Sequence, residues 1–432
     1  MSKKWYSICG KPILRSRSPQ IHNHWFQTAN IDAHYFRLIA DNVKAALNTY
    51  QKLGVAGFNV TAPFKQAIIT VIDELTPEAQ ATGAVNLVLI NGAKLRGFNT
   101  DVAGVMDTLA TYKCPPDIPT LVIGAGGAAR AALYALQQLT TGITITNRTD
   151  IKARQLAQEF GCDWQPFADR QSSVLRAHLI VVAVTETEGV LKPEWLASHQ
   201  VLLDANYIHT RLESVAAEAG CTYLSGKLWL EQQARQVFRH FTSRTPDGAL
   251  PDLSADLYVN RKNNVALIGF MGAGKTSLGR ALAASLGWQF VDTDELIEQA
   301  SGEKIVDIFN HHGESEFRRR EAAMLTKVLS QSQQVIACGG GITIAPENCQ
   351  QLREHAVVIL LYARPAAIWH RLETCFRPLL LTPDYQKRAE QLFSSRLERY
   401  LTTADAVIDT EIYPINQARA LIHAEIEQLL SN

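Results

Sequence analysis

Short apolar runs alternate with amphipathic stretches along most of the chain. In the first hundred residues, strand-like runs at Trp5–Gly10, His34–Leu38 and Gly57–Val60 are separated by helical patterns at Pro19–Ala29, Val43–Leu53 and Lys65–Ile72. The alternation continues through the apolar start of Thr120–Leu136 and through Gly142–Thr146, Leu179–Val184 and Val201–Ala205, and then turns helical at Gly226–Phe241. Arg244–Asn264, with Pro246, Asp247, Gly248 and Pro251, breaks it and reads as a linker. Beyond lie buried-strand patterns at Val265–Ile268, Trp288–Thr293 and Val335–Cys338. Strands that alternate with helices predict an α/β architecture with mostly parallel sheets. The expected division is an α/β domain over 1–104, a Rossmann-like domain over 105–225, a linker at 246–262 and a parallel-sheet α/β domain over 263–432. Chain length agrees, since 432 residues exceed what one core supports.

Composition narrows the function classes. Forty-two basic residues balance forty-two acidic ones, so no broad field favours nucleic acid or an anionic membrane, and small-molecule chemistry is expected. The longest apolar stretches, His178–Val184 and Ala356–Ala363, are far shorter than a membrane span, and MSKKWYSICG does not look like a signal peptide; a cytoplasmic protein is expected. Seven scattered cysteines without a C-x-x-C pair predict reduced thiols, with neither disulfide nor structural zinc.

The sharpest local signal is VALIGFMGAGKTS, Val265–Ser277. An apolar strand breaks into Gly269-x-x-x-x-Gly274-Lys275-Thr276, the spacing of a phosphate-binding loop. Gly272, Ala273 and Gly274 let backbone N–H groups converge on phosphate oxygens, at the positive end of the helix predicted for Leu278–Leu286. Lys275 reaches the outer phosphates, while Thr276 and neighbouring Ser277 offer hydroxyls, that of Thr276 to magnesium. ATP and Mg2+ are the implied ligands. A second glycine turn lies at Gly124-Ala125-Gly126-Gly127-Ala128-Ala129, a dinucleotide fingerprint with Ala in its third place. The following strand ends in Asn147-Arg148-Thr149, where an NAD enzyme would carry an acidic residue. A guanidinium there accepts a 2′-phosphate that a carboxylate would repel, so NADP is expected over NAD.

Other polar groups cluster at predicted loops. Ser16 and Ser18 precede a helix and read locally as caps; Asn59-Val60-Thr61 leads to Lys65; Gly97–Asp101 presents a carboxylate. Taken alone, Lys65 and Asp101 read as solvated charges. In the last third, Asp292 and Asp294 stand two apart, and Asp294 alternatively caps a helix. Arg318 and Glu321 share a helix face, which by itself reads as a surface ion pair. Gly339–Gly341 supplies bare backbone, and Arg377 and Arg396 follow.

Read together and in order, SICGKPILRSRSPQIHNHWF, GFNVTAPFKQ, TGAVNLV, GFNTDVAG, VIGAGGAAR, NRT and GKLWLEQQARQVF resemble the shikimate dehydrogenase family over residues 1–245. The resemblance implies a substrate domain at 1–104 completed by a helix at 226–245, and the reduction of 3-dehydroshikimate by NADPH. It implies Ser16, Ser18, Thr61, Asn86 and Gln233 as substrate ligands, Lys65 and Asp101 as the catalytic pair, and Gly226 beside the cofactor. Leu87 stands where the family usually has Thr, and Ser225 where it has Asp. GFMGAGKTS, FVDTD, GESEFRRRE, CGGG, RPLL and SRLERY are similar to the shikimate kinases over roughly residues 262–432. That implies phosphorylation of shikimate, with Arg318, Gly340 and Arg396 on the substrate, Asp294 at its hydroxyl, Asp292 with Thr276 at the metal, and Arg377 on a closing lid. Two alternatives remain: quinate or another small polyol as substrate, and a metabolite-sensing regulator that has lost catalysis.

Overall fold

The computed structural model describes residues 3–207, 210–253, 263–369 and 384–430. Packing gathers the chain into two compact units: Met1–Asn23 with Asp32–Val55 and Pro251–Asn432, and His24–Ile31 with Ala56–Leu250. The first unit thus combines residues from both ends of the chain.

Its sheet runs in the order Gln289–Asp292, Gln334–Ala337, Val265–Ile268, Val357–Tyr362, Ala406–Asp409, Ala33–Ile39, Lys4–Gly10, and every neighbouring pair is parallel. Apolar strands such as Val265–Ile268 and Val357–Tyr362 are buried along their whole length, as expected for a parallel sheet covered on both faces. The join between Ala406–Asp409 and Ala33–Ile39 puts Ala406 opposite Arg37 and Val407 opposite Leu38. A strand from the first forty residues therefore extends the sheet that carries the phosphate loop. The helix after that loop starts at Lys275, one turn earlier than the apolar pattern indicates, and runs to Leu286.

The second unit has a six-stranded parallel sheet in the order Thr222–Leu224, Val201–Asp204, Leu179–Val182, Thr120–Ile123, Ile143–Thr146, Asp163–Trp164. The strand order reverses at Thr120–Ile123, and in such sheets the crevice at the carboxyl end of that strand is where ligands bind. Outside that six-stranded sheet, Val55–Val60, Leu87–Asn91 and Lys94–Phe98 form an antiparallel meander. The stretch expected as one helix from Lys65 is a single α turn, Phe64–Ala67, followed by a 3-10 turn, Ile68–Val71. Helix Gly226–Thr242 packs on helix Thr100–Tyr112 so closely that a Cβ on Gly104 would lie 2.7 Å from Trp229 Cδ1. No helix among the described residues is long and apolar enough to cross a membrane.

Candidate active sites

In the second unit the glycine fingerprint occupies the switch point. Gly124 has φ 132°, and a Cβ there would lie 2.5 Å from the Ala183 carbonyl oxygen, so no larger residue fits. Gly126 opens helix Gly127–Leu136, and the space a Cβ would take is empty to 4 Å. Ala125 and Ala128 are half-buried against the core beneath. The Gly124 N–H donates to the Thr146 carbonyl at 2.9 Å, which sets Asn147-Arg148-Thr149 beside the turn. Asn147 Nδ2 donates to the Thr149 carbonyl at 3.1 Å, and Arg148 is exposed. Open backbone at a helix N-terminus with a guanidinium just beyond the end of strand Ile143–Thr146 fits a phosphorylated dinucleotide.

Next to this turn stands the expected charge pair. Lys65 Nζ lies 2.6 Å from Asp101 Oδ2, with both side chains largely out of solvent. They are therefore not the separate solvated charges that local sequence indicates. A Cβ on Gly127 would come 3.1 Å from Lys65 Cδ, so the glycine turn and the ammonium stem are in contact. Asp101 is in the first turn of its helix, capped by Asn99, and its carbonyl accepts from Trp229 Nε1 at 3.2 Å. Asn86 Oδ1 accepts from the Thr100 N–H at 2.8 Å, while its Nδ2 donates to Thr100 Oγ1 at 2.9 Å and Gln233 Oε1 at 3.2 Å. Asn86 and Gln233 are thus brought together. Thr61 is half-buried just after strand Val55–Val60. Gly226 is buried, and a Cβ on it would collide with the carbonyls of Asn206 and Asp204, a packing demand in its own right. Ser16 and Ser18 belong to the first unit, where their hydroxyls are 3.3 Å apart.

The second site lies wholly in the first unit. Thr276, Asp292, Asp294, Arg318, Gly340 and Arg396 all line one cavity of about 300 Å³. The helix after strand Gln289–Asp292 is capped by Asp292, whose Oδ1 accepts from the N–H of Asp294 at 3.0 Å, so Asp294 is not the cap. Asp292 Oδ2 accepts from Thr276 Oγ1 at 2.8 Å, an all-oxygen pair suited to a hard divalent cation. Gly272 and Gly274 adopt φ of 80° and 97°, with Ala273 buried between them; Lys275 Nζ donates to the carbonyls of Gly269 at 2.9 Å and Phe270 at 3.0 Å. Ser277 follows on the same helix and is exposed.

Arg318 and Glu321 are not a surface pair. Glu321 is 1% exposed and its Oε2 accepts from Arg318 Nη1 at 2.7 Å. Burial raises the Glu321 carboxyl and the Arg318 charge opposes that rise. The glycine run makes room for this group. A Cβ on Gly339 would sit 2.6 Å from Asp294 Oδ1 and 2.9 Å from Glu321 Oε1, and one on Gly341 would overlap the Arg318 guanidinium. The Gly340 carbonyl accepts from Arg396 Nη1 at 3.1 Å and from Tyr400 Oη. Arg377 lies outside the described residues.

Sequence reasoning passed over four supporting residues. Glu321 was visible only as half of an i,i+3 pair, and nothing local marks it as buried. Trp229 and Thr100 hold Asp101 and Asn86 through contacts that close only in the fold. Thr410, whose Oγ1 donates to the Ala273 carbonyl at 3.2 Å, is 137 residues from the loop it supports.

Comparison with known proteins matches both parts of the chain. The families described as shikimate dehydrogenase substrate binding domain and shikimate / quinate 5-dehydrogenase match residues 8–88 and 112–204, and that described as shikimate kinase matches 271–427. A shikimate dehydrogenase (NADP(+)) of Roseobacter denitrificans is 36% identical over 262 residues, 56% of this chain and 92% of that protein. A shikimate kinase of Thermodesulfovibrio yellowstonii is 41% identical over 167 residues, 38% of this chain and 96% of that protein. Among solved structures, the shikimate 5-dehydrogenase of Thermus thermophilus in complex with NADP(H) and shikimate matches with TM-score 0.52 and 30% identity, over 56% of this chain and 95% of that one. With these matches laid end to end along one polypeptide, the chain belongs to the shikimate dehydrogenase family in its N-terminal part and to the shikimate kinase family in its C-terminal part.

Proposed function

We propose that this bifunctional enzyme performs two consecutive steps on one ring acid: NADPH-dependent reduction of 3-dehydroshikimate to shikimate, then ATP-dependent phosphorylation of shikimate, in the cytoplasm. The observation that carries the reductase reading is the Lys65–Asp101 contact of 2.6 Å beside the Gly127 turn. NADPH, when bound, supplies the hydride. As the ring ketone becomes an alkoxide, the Lys65 ammonium stabilises the developing charge and gives it a proton, while Asp101 keeps the lysine aimed. Ser16, Ser18, Thr61, Asn86 and Gln233 hold the substrate's carboxylate and hydroxyls. Gly124, Gly126 and Gly127 with Asn147, Arg148 and Thr149 hold the dinucleotide, and Gly226 borders it.

In the kinase, Gly272–Ser277 cradles the ATP phosphates and Lys275 neutralises them. Mg2+, when bound by Thr276 and Asp292, offsets charge on the phosphate oxygens. Asp294 orients the attacking hydroxyl and accepts its proton; Arg318, Arg396 and Gly340 hold the shikimate carboxylate side; Arg377 is assigned by the family motif to the transferring phosphate. Support for this reading comes from the shared cavity of Asp294, Arg318, Gly340 and Arg396.

Purified enzyme supplied with 3-dehydroshikimate, NADPH and Mg·ATP is expected to accumulate shikimate 3-phosphate. Lys65→Ala should abolish NADPH oxidation and leave ADP formation nearly intact; Lys275→Ala should do the reverse. Equal loss of both activities in either variant would refute the division of labour. Turnover of quinate with NADP, compared with shikimate, tests the substrate.

A further inference from the structure

The segment that carries Ser16 and Ser18 belongs by sequence to the dehydrogenase, yet atoms of the kinase part hold it in place. Glu425, on helix Ile415–Leu430, is 4% exposed. Its carboxylate accepts from the Ile13 N–H, at 2.8 Å on Oε2, and from the Leu14 N–H at 3.0 Å. One turn further on, the Gln428 carbonyl accepts from Arg15 Nη2. Arg37 fixes the far end. Buried to 2% exposure, it donates to the Ser16 carbonyl through Nη2 at 2.6 Å and Nε at 3.1 Å, and through Nη1 to the Asp405 carbonyl at 3.1 Å. Asp405 immediately precedes strand Ala406–Asp409, and Ala406 is the residue opposite Arg37 in the sheet.

These contacts leave the segment little freedom. A surface loop ordinarily samples many conformations, and a ligand that needs one of them binds more weakly in proportion to its rarity. Two adjacent backbone N–H groups on one buried carboxylate, with a guanidinium bridging the next carbonyl to a strand, select a single conformation through charge-assisted bonds. The hydroxyls of Ser16 and Ser18 are carried by that backbone, and the Ser18 N–H donates to Ser16 Oγ at 3.4 Å.

We infer that Glu425 is a positioning residue for the dehydrogenase reaction: from the kinase part of the chain it holds the Ile13–Leu14 backbone so that Ser16 and Ser18 are presented to the ring acid. This rests on the assignment of those serines to substrate binding. The kinase part is then a structural component of the other enzyme's substrate site, beyond the joining of two catalysts by a linker.

The test uses the full chain. Steady-state NADP+ reduction gives kcat and the KM values for shikimate and NADP+, and ADP formation is measured on the same preparations. Glu425→Ala is expected to raise the dehydrogenase KM for shikimate about tenfold, the effect of losing a charge-assisted bond. The dehydrogenase kcat, the KM for NADP+ and the kinase constants should stay within about twofold. Glu425→Gln retains one good acceptor and should give an intermediate KM, which also carries the test if the alanine variant fails to fold. Combining Glu425→Ala with Ser16→Ala should raise KM by less than the product of the two single effects, because Glu425 acts through the serine segment. An unchanged KM for shikimate in both Glu425 variants, a parallel loss of both activities in Glu425→Gln, or fully multiplicative effects would overturn the inference. Raised KM in Ser16→Ala and Ser18→Ala with no effect at Glu425 sinks the positioning role alone. Unchanged KM in both serine variants sinks the serine assignment, and the inference with it.

Discussion

Replacing Lys52 with Met removes an ammonium that ties the early part of the chain to the phosphate-loop sheet. Lys52 Nζ is 2.9 Å from Asp409 Oδ2 and 2.9 Å from Glu411 Oε2, and the Asp409 side chain is 0% exposed. Asp409 keeps two neutral donors, Thr49 Oγ1 at 3.1 Å and the Glu411 N–H at 2.9 Å, but loses its opposite charge. Removing one partner of a buried pair costs about 3–5 kcal/mol. The Lys52 side chain is 14% exposed and Glu411 retains Arg364 at 2.8 Å, so the low end applies, about 3 kcal/mol or two decades in the folding equilibrium. Urea unfolding should show a lower midpoint at unchanged slope for the first unit, followed by ADP formation because Thr410, between the two carboxylates, supports the Ala273 carbonyl. The pH dependence supplies a second reading. Burial works against ionisation of Glu411, but hydrogen bonds from Arg364 and Lys52 prevail and bring its pKa from 4.5 down to about 2. A depressed carboxylate stabilises the fold fully above its unfolded pKa, and that stability is lost as pH falls from about 4.5 through about 2. In Lys52→Met the acid-sensitive part should shrink and end at higher pH. A destabilisation below about 1 kcal/mol, the range of exposed pairs, together with an unchanged acid limb, would refute the reasoning.

Two further substitutions probe the sites. Arg148→Ala should raise KM for NADPH by about ten- to a hundredfold and leave KM for NADH nearly unchanged, since only the 2′-phosphate loses its charge-assisted partner; equal weakening of both cofactors would remove Arg148 from that role. Glu321→Ala should raise the kinase KM for shikimate about tenfold, because Arg318 loses its buried carboxylate partner and keeps the ion pair with half-exposed Glu314, while the dehydrogenase constants stay put; an unchanged KM would show that Glu321 does not orient Arg318.

Function was legible where chemistry is written at fixed short spacing. Gly269 to Lys275 and Gly124 to Gly126 each announce a strand, a turn and a helix N-terminus within a dozen residues, so backbone geometry follows from local sequence. Alternating strand and helix patterns likewise gave parallel α/β sheets, as the strand pairings bear out. Boundaries were less legible, as at Lys275, where the helix starts before its apolar stripe does.

What tertiary structure alone decided has a common physical cause. Lys65 and Asp101 are 36 residues apart, and their charges carry no mark of whether they meet each other or water. Arg318 with Glu321 looked like a solvated pair because i,i+3 spacing is the same on a buried face as on an exposed one. Least predictable was the strand junction between Ala33–Ile39 and Ala406–Asp409, since sheet edges pair through backbone N–H and carbonyl groups that every residue possesses. Its buried charges, Arg37, Asp409 and Glu425, are tolerable only because carbonyls, an ammonium and backbone N–H groups reach them from hundreds of residues away in the chain.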